Sequence, residues 1–447
     1  PEVAADGDSH HTSTVRPSGL PFLPDSRPSS PQVRRSLCPS EQGSDVEKGI
    51  SVLCRIRPLN SKELKDGDAC IVTTDEDKAY LEIFGSEKLS MTFDAVLGCD
   101  GCQEDVYNLA AKPVVDDFLE GFNGTIFAYG QTGSGKTYTM EGMPDEPDRR
   151  GIVPRTVCSI FDFMEKAGEN MQFMIQVSFM EIYNEKIRDL ICPERDNLKV
   201  REDKSKGIWV EGVSQHYITT ELEVMELLLL SASSRATSET LMNMNSSRSH
   251  SIFQIVLEQI NTVDGSRKLS KLYMVDLAGS EMCKKTGAQG ATLNEAKHIN
   301  KSLSALSNVI YALSDGKASH IPYRDSKLTR ILQEAIGGNC RTALIINCSP
   351  ARSNEAETVS TIRFGSRAKR IKNRAHINKE QSSAELKVLL AECQRRNKDL
   401  AERLAAKEAE VSTLQVLGGQ GGDVQARLME LQEQLLRERR AREAAQR

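Results

Sequence analysis

Residues 130–137 read Gly-Gln-Thr-Gly-Ser-Gly-Lys-Thr, behind the apolar run Thr125–Tyr129 and ahead of Tyr138-Thr139-Met140. A strand, a loop of the form G-x-x-x-x-G-K-[ST] and a helix start, in that order, leave few folds open. The glycines let the backbone curl, so that successive amides and the helix N-terminus point inward at anionic oxygens. Gly130, Gln131, Thr132, Gly133, Ser134 and Gly135 supply the cradle, Lys136 the reach to the outer phosphates, and Thr137 a hydroxyl for Mg²⁺. The chain is expected to bind a nucleoside triphosphate.

The rest of the pattern sets the class of fold. Ile50–Pro58, Ser90–Asp94, Phe173–Tyr183, Ser251–Leu257 and Lys271–Val275 read as strands, and Lys199–Gly212 carries the turn residues of a hairpin. Asp105–Leu119 reads as a helix despite Pro113, and Glu221–Ser234 as another with Leu227–Leu230 on its buried side. Gly142–Gly151 is an exposed loop. The most regular helix starts at Thr292, with Thr292-x-x-Glu295 as a capping box, and stops at Asp315-Gly316. Strands alternating with helices around a phosphate loop predict an α/β fold, a mostly parallel or mixed sheet with helices on both faces.

A length of 447 residues suits two to three domains, or one unit of about 300 residues with appendages. Residues 1–44 are rich in Pro and Ser without apolar periodicity, and are expected to be a disordered extension. Beyond Ala384 one heptad register places Leu390, Asn397, Leu404 and Val411 at a, and Leu386, Cys393, Leu400, Lys407 and Leu414 at d. Asn397 at a favours a two-stranded coil in register, whereas Lys407 weakens the seam. A single solvated helix is the other reading of this stretch. The expected divisions are 45–370 for the globular head, 371–382 for a linker and 383–417 for a coil. A Gly-rich hinge at 418–423 and the start of a second coil at 424–447 follow.

A net charge of −5 gives no argument for bulk nucleic-acid binding, so any basic surface must be local. Eleven scattered cysteines offer one close pair, Cys99 and Cys102, without a second pair at zinc spacing. Reduced thiols and an intracellular protein are the expectation. No apolar run approaches the roughly eighteen residues of a membrane span. The opening Pro1 is read as the mark of a fragment.

Two further stretches narrow the choice among phosphate-loop proteins. Leu272–Glu281 is an apolar strand ending at Asp276, placed to hold Mg²⁺ through water, followed by Gly279, whose amide can sense a γ-phosphate. Asn243–His250 reads Asn-Met-Asn-Ser-Ser-Arg-Ser-His, whose hydroxyls can ligate Mg²⁺ and order an attacking water. Arg248 and Glu281 are a natural ion pair to close the pocket. A buried strand with a turn and a plain polar loop are the alternatives.

With these residues in view, the chain resembles a kinesin motor head from about Gly49 to Asn378. The matching segments are Arg55–Pro58, Gly130–Thr137, Asn243–His250, Asp276–Glu281, Asn300–Leu306 and Tyr323–Arg330. The resemblance implies a phosphate-loop NTPase fold with ATP and Mg²⁺, and the absence of an Asn-Lys-x-Asp guanine motif agrees. It implies that Arg55, Arg57 and Pro58 frame the adenine, with Tyr138 stacking beside it. Ser247 joins Thr137 and Asp276 in the Mg²⁺ shell, and Ser246, Arg248 and Glu281 handle the hydrolytic water. It further implies that Lys284, Lys285, Lys297, Lys301, Arg324, Lys327 and Arg330 meet acidic tubulin around the Thr292–Asp315 relay helix.

Ile371, Lys372, Asn373, Ile377 and Asn378 resemble a neck linker latched by the last of these, with a cover strand expected around Val46–Gly49. The order head, linker, coil resembles plus-end-directed kinesins with an N-terminal motor, most of all conventional ones. The implied protein is a microtubule-stimulated ATPase of the cytoplasm and cytoskeleton, a parallel homodimer with unknown cargo. His376 and Arg374 are unusual in such a linker, Ser307 replaces a usual Gly, and Met282–Lys285 is less polar than usual. Two rivals use the same head: a depolymerase or crosslinker that does not step, and a non-enzymatic scaffold. The linker and coil weigh against the first, and the intact Lys136, Thr137, Ser247, Asp276, Gly279 and Glu281 against the second.

Overall fold

The computed structural model describes residues 47–416 except 87, 145, 204–206, 243–245, 282–290, 317, 319, 381 and 382, together with 429, 430, 433, 434 and 436. Side chains at 235–242, 246, 291–300 and part of the 383–416 helix also lie outside that description. The expected 1–44 extension and the 418–423 hinge fall outside it, as does most of 424–447.

Eight strands form the main path of a central sheet. In chain order they are β1 (Ser51–Ile56), β2 (Ala95–Leu97), β3 (Gly124–Tyr129), β4 (Met171–Tyr183), β5 (His216–Ile218), β6 (His250–Asn261), β7 (Arg267–Asp276) and β8 (Arg341–Cys348). Their spatial order is β5-β4-β6-β7-β3-β8-β1-β2. The half from β7 to β2 is parallel and the half from β5 to β7 antiparallel, so the sheet is mixed.

The middle strands β3 and β8 are buried along their whole length, as parallel strands covered on both faces must be. Alternation divides their side chains between two cores. Phe127, Tyr129, Leu344 and Ile346 pack on one face with Leu306 and Ile310 of the relay helix (Ala291–Asp315). Ile126, Ala128 and Ile345 pack on the other with Val115, Phe118, Val157 and Ile160. The helix-flanked α/β sheet expected from the pattern is thus present.

Local departures have local causes. The helix expected over Asp105–Leu119 is present, but a π-helical turn at Tyr107–Ala111 precedes its Lys112–Glu120 section. Pro113 then stands at the head of that section, where a missing N–H costs little. The helix expected at Glu221–Ser234 runs on to Met242. Leu227 and Leu228 are half-buried there, but Leu229 and Leu230 are 52% and 51% exposed, which corrects their assignment to the buried side. Four consecutive residues at about 100° per residue cannot share one face. The relay helix starts at Ala291, ahead of Thr292, and ends at Gly316 with φ +66°. The Thr292 and Glu295 side chains of the expected capping box lie outside the described residues. Among the described residues no helix is long and apolar enough to cross a membrane.

Candidate nucleotide-binding site

The phosphate loop leaves β3 at Gly130, whose φ is +153° and where a Cβ would overlap the Asn347 carbonyl oxygen of neighbouring β8. Gly133 and Gly135 have φ of +73° and +97° with open space around them, so backbone conformation alone selects glycine there. Arg57 braces the loop from outside. Its Nε donates to the Gly133 carbonyl at 2.7 Å, and its guanidinium donates to both Glu63 oxygens at 2.7 and 2.6 Å. That guanidinium holds the Glu63 carboxyl down to about 2, with help from the Asn60 amide and against some burial.

Lys136 is buried, and its Nζ donates to the Gln131 carbonyl at 2.9 Å. Burial lowers its pKa, while Asp276 and Glu281 oppose the shift. Thr137 Oγ1 donates to Asp276 Oδ2, so the two groups expected around Mg²⁺ are adjacent. Gln131 Oε1, Ser134 Oγ and Asn347 Oδ1 are buried without a hydrogen-bond partner around this loop. The unpartnered Ser134 hydroxyl, the positive-φ glycines and the buried ammonium together fit a bound triphosphate, with Thr137 and Asp276 placed to hold Mg²⁺.

On the base side the arrangement differs from a simple frame. Pro58 is exposed and Tyr138 is 38% exposed, but Arg55 is only 8% exposed. Arg55 donates to Gln103 Oε1 at 2.7 Å and Thr139 Oγ1 at 2.8 Å, with its guanidinium 5.4 Å from the Tyr138 ring centre. It backs Tyr138 rather than lining the cleft itself. Gln103, missed in the sequence, completes the support by donating to the Tyr138 carbonyl at 2.6 Å. A lone glutamine 35 residues away carries no pattern that could have found it.

The two polar loops meet behind the phosphate loop. The Gly279 N–H donates to the Ser247 carbonyl at 2.8 Å, and Ser280 N–H to the Gly130 carbonyl at 3.1 Å. The amide expected to sense a γ-phosphate is therefore engaged by the Ser247 loop in this conformation. A Cβ at Gly279 would overlap Thr132 Oγ1 and the Glu281 carboxylate, so a larger residue there would have to displace the Thr132–Glu281 contact. The expected Arg248–Glu281 pair is not formed. Both Glu281 oxygens accept from Thr132, from its N–H at 2.8 Å and from its Oγ1 at 2.5 Å. Ser247 and Arg248 are half-buried, and the Ser246 side chain lies outside the described residues.

His250 is the junction that the sequence did not single out within its motif. Its Nδ1 accepts the Ala278 N–H at 2.9 Å, which leaves Nε2 to donate to Ser302 Oγ of the relay helix at 2.7 Å. Full burial, and then the Lys136 charge, push its pKa down to about 3, so the ring is neutral. One imidazole thus ties both loops to the relay helix.

The residues expected to meet tubulin divide. Lys301 is exposed, while Lys284 and Lys285 and the Lys297 side chain lie outside the described residues. Arg324 and Arg330 both pair with Glu202 of the Lys199–Glu211 hairpin, at 3.2 and 3.7 Å. Lys327 Nζ donates to the Leu198 carbonyl at 3.1 Å, and burial lowers its pKa. These three tie the hairpin and its approach to the head; Arg324 is exposed, whereas Lys327 and Arg330 are half-buried.

The linker lies along the opposite end of the sheet. Lys372–Arg374 pairs antiparallel with Glu47–Gly49 as a cover strand, and Lys379–Glu380 pairs with β7. Ile371 is buried and Ile377 is 39% exposed. Asn373 Oδ1 accepts from Gly337 N–H at 2.8 Å, while its Nδ2 faces the Ala335 and Cys340 carbonyls at 2.9 and 2.8 Å. The Asn378 N–H donates to the Gly121 carbonyl at 3.0 Å, and its carbonyl accepts from Leu269 N–H at 3.0 Å. In the Ser383–Val416 helix, Asn397 is half-buried, Leu404 is 4% exposed, and Lys407 Nζ donates to Gln434 at 3.3 Å within the same chain.

A phosphate loop, an aspartate beside its threonine and two polar loops tied through one imidazole to a long helix define a nucleotide-binding site on an α/β sheet. The kinesin motor domain family matches residues 55–371, and the chain belongs to that family. It is 56% identical over 349 residues to kinesin-related protein 3 of Dictyostelium discoideum, covering 77% of this chain and 29% of that one. It is 52% identical over 365 residues to the kinesin heavy chain of Syncephalastrum racemosum, covering 81% and 39%. A solved structure described as a fast kinesin superposes with a TM-score of 0.72 at 52% identity, over 75% of this chain and 96% of the other. The chain spans well under half the length of the curated relatives it matches.

Proposed function

We propose that this chain is the motor part of a microtubule-stimulated ATPase, converting hydrolysis into neck-linker docking and plus-end-directed movement. The observation that carries the reading is the His250 junction, which joins both nucleotide-sensing loops to the relay helix, in a head whose other end holds a docked linker. ATP is the substrate, Lys136 and the loop amides hold its phosphates, and Thr137, Ser247 and Asp276 hold Mg²⁺. When bound there, Mg²⁺ would supply positive charge against the phosphates. Tyr138, backed by Arg55 and Gln103, offers a ring face to the base.

Hydrolysis requires the second loop to change partners. Gly279 leaves the Ser247 carbonyl for the γ-phosphate, and Glu281 leaves Thr132 for Arg248, closing on the water that Ser246 and Ser247 orient. The relay helix follows through Ser302. Lys301, Arg324, Lys327 and Arg330, with Lys284, Lys285 and Lys297, provide the local basic surface for acidic tubulin. Residues 45–370 form the head, 371–382 the linker and 383–417 the neck coil, which pairs two chains in parallel on microtubules in the cytoplasm.

ATP turnover with and without taxol-stabilised microtubules tests the reading, followed by gliding of polarity-marked filaments. Many-fold stimulation with minus ends leading is expected; unstimulated turnover would leave a nucleotide switch without a track.

A further inference from the structure

The docked linker is held by a chain of amides whose polarity can be assigned throughout. Asn123 Oδ1 accepts the Lys271 N–H at 3.1 Å, which fixes that amide. Asn378 Nδ2 then donates to Asn123 Oδ1 at 2.9 Å, leaving Asn378 Oδ1 as an acceptor for Asn339 Nδ2 at 3.0 Å. Independently, Asn339 Oδ1 accepts the His376 N–H at 2.8 Å. Both routes put the Asn339 NH₂ on the same side. Its second hydrogen points at His376 Nε2, 3.0 Å away. An amide NH₂ can only donate, so Nε2 must accept, and the imidazole must be neutral with its proton on Nδ1.

Resting on the motor reading above, we infer that His376 is a second latch residue whose bond to Asn339 forms only with a neutral ring, so that linker docking weakens on acidification. A protonated ring turns an N–H toward an N–H at the point where the linker crosses Asn339. His376 is exposed, so the charged ring can swing into water, and the effect is loss of one bond rather than burial of a charge.

The other ionisable groups facing this cavity of about 510 Å³ are Lys271 and Tyr273 of β7, Glu334 and Cys340 beside Asn339, and Lys379 and Glu380 of the linker. Burial pushes Tyr273 up, Cys340 up to about 11, and Lys271 down against the pull of Glu334. Glu334 Oε2 accepts the Asn339 N–H at 3.1 Å, which holds the hub residue in place. Arg374, two residues before His376, is engaged by Glu47 at 3.0 Å.

The test is a distance between labels at the exposed Glu120 and Lys387, introduced as unnatural amino acids in the full chain, with a non-hydrolysable ATP analogue at pH 8 and pH 5.5. Fluorescent nucleotide binding is followed in parallel. The docked-to-undocked ratio is expected to fall about fivefold on acidification, the scale of one lost hydrogen bond of about 1 kcal/mol. H376Q, which accepts at any pH, should dock alike at both values, and H376K should dock poorly at both. A native response unchanged between the two pH values overturns the inference, as does an H376Q response with the native slope. A linker that ignores bound nucleotide at either pH instead defeats the motor reading.

Discussion

The two ends of the central sheet solve opposite problems. At the phosphate end the core of the site is buried and multiply braced: Lys136 is 7% exposed, Ser134 is buried, and Arg57 is pinned between Gly133 and Glu63. At the linker end the root is anchored by buried Ile371 and Asn373, and beyond it the holding elements are a strand pair of two residues and side-chain amides at the rim. Burial makes a site that is always formed. A few peripheral hydrogen bonds, each of about 1 kcal/mol, hold a segment that can open locally without unfolding the head.

The sharpest break of that contrast removes the buried ammonium. Lys136→Ala should weaken nucleotide binding on the order of a thousandfold, measured with a fluorescent ATP analogue, while the fold survives. Near-native affinity would mean that the loop amides suffice. Next, Glu281→Ala should bind ATP normally yet hydrolyse it about 100-fold more slowly in single-turnover assays, within the usual range for lost proton handling. Unchanged turnover would remove Glu281 from the switch.

At the linker end, Asn373→Ala strands the Ala335 and Cys340 carbonyls and the Gly337 N–H. Docking should weaken by about 2 kcal/mol, roughly thirtyfold. Nucleotide affinity should hold, and a parallel loss of affinity would show that the two ends are not separable.

His250 sharpens the comparison through pH. Its folded pKa lies near 3, below the histidine reference of about 6.5, so between these values the unfolded chain binds a proton that the folded one refuses. Its contribution to stability is complete above about pH 6.5 and falls as pH drops, by up to about 1.4 kcal/mol per unit. Melting temperatures between pH 7 and pH 5 should show this slope, and His250→Gln should flatten it; an equal slope in the variant assigns it elsewhere. The smallest effect is expected for Glu47→Ala, which removes exposed pairs to Lys372 and Arg374. Docking should change slightly at low salt and not at all at high salt.

What was legible in the sequence was local. The strand before Gly130, the glycines of the loop, Asp276 at a strand end and the periodic relay helix announce themselves through spacing within a few residues. The Leu227–Leu230 run misled because a run of apolar residues does not say which of its members a helix turns inward. Gln103 behind Tyr138 gave no signal, since what matters is a partner 35 residues away.

The sequence by itself determined the phosphate cradle and the alternation that sends Ile126 and Phe127 to opposite cores, because both follow from backbone conformation and side-chain period. Tertiary structure decided who touches whom: Glu281 with Thr132 rather than Arg248, His250 between Ala278 and Ser302, and Asn339 between Asn378 and His376. A hydrogen bond depends on distance and direction to tenths of an ångström, and only the packed sheet brings such distant residues within that reach.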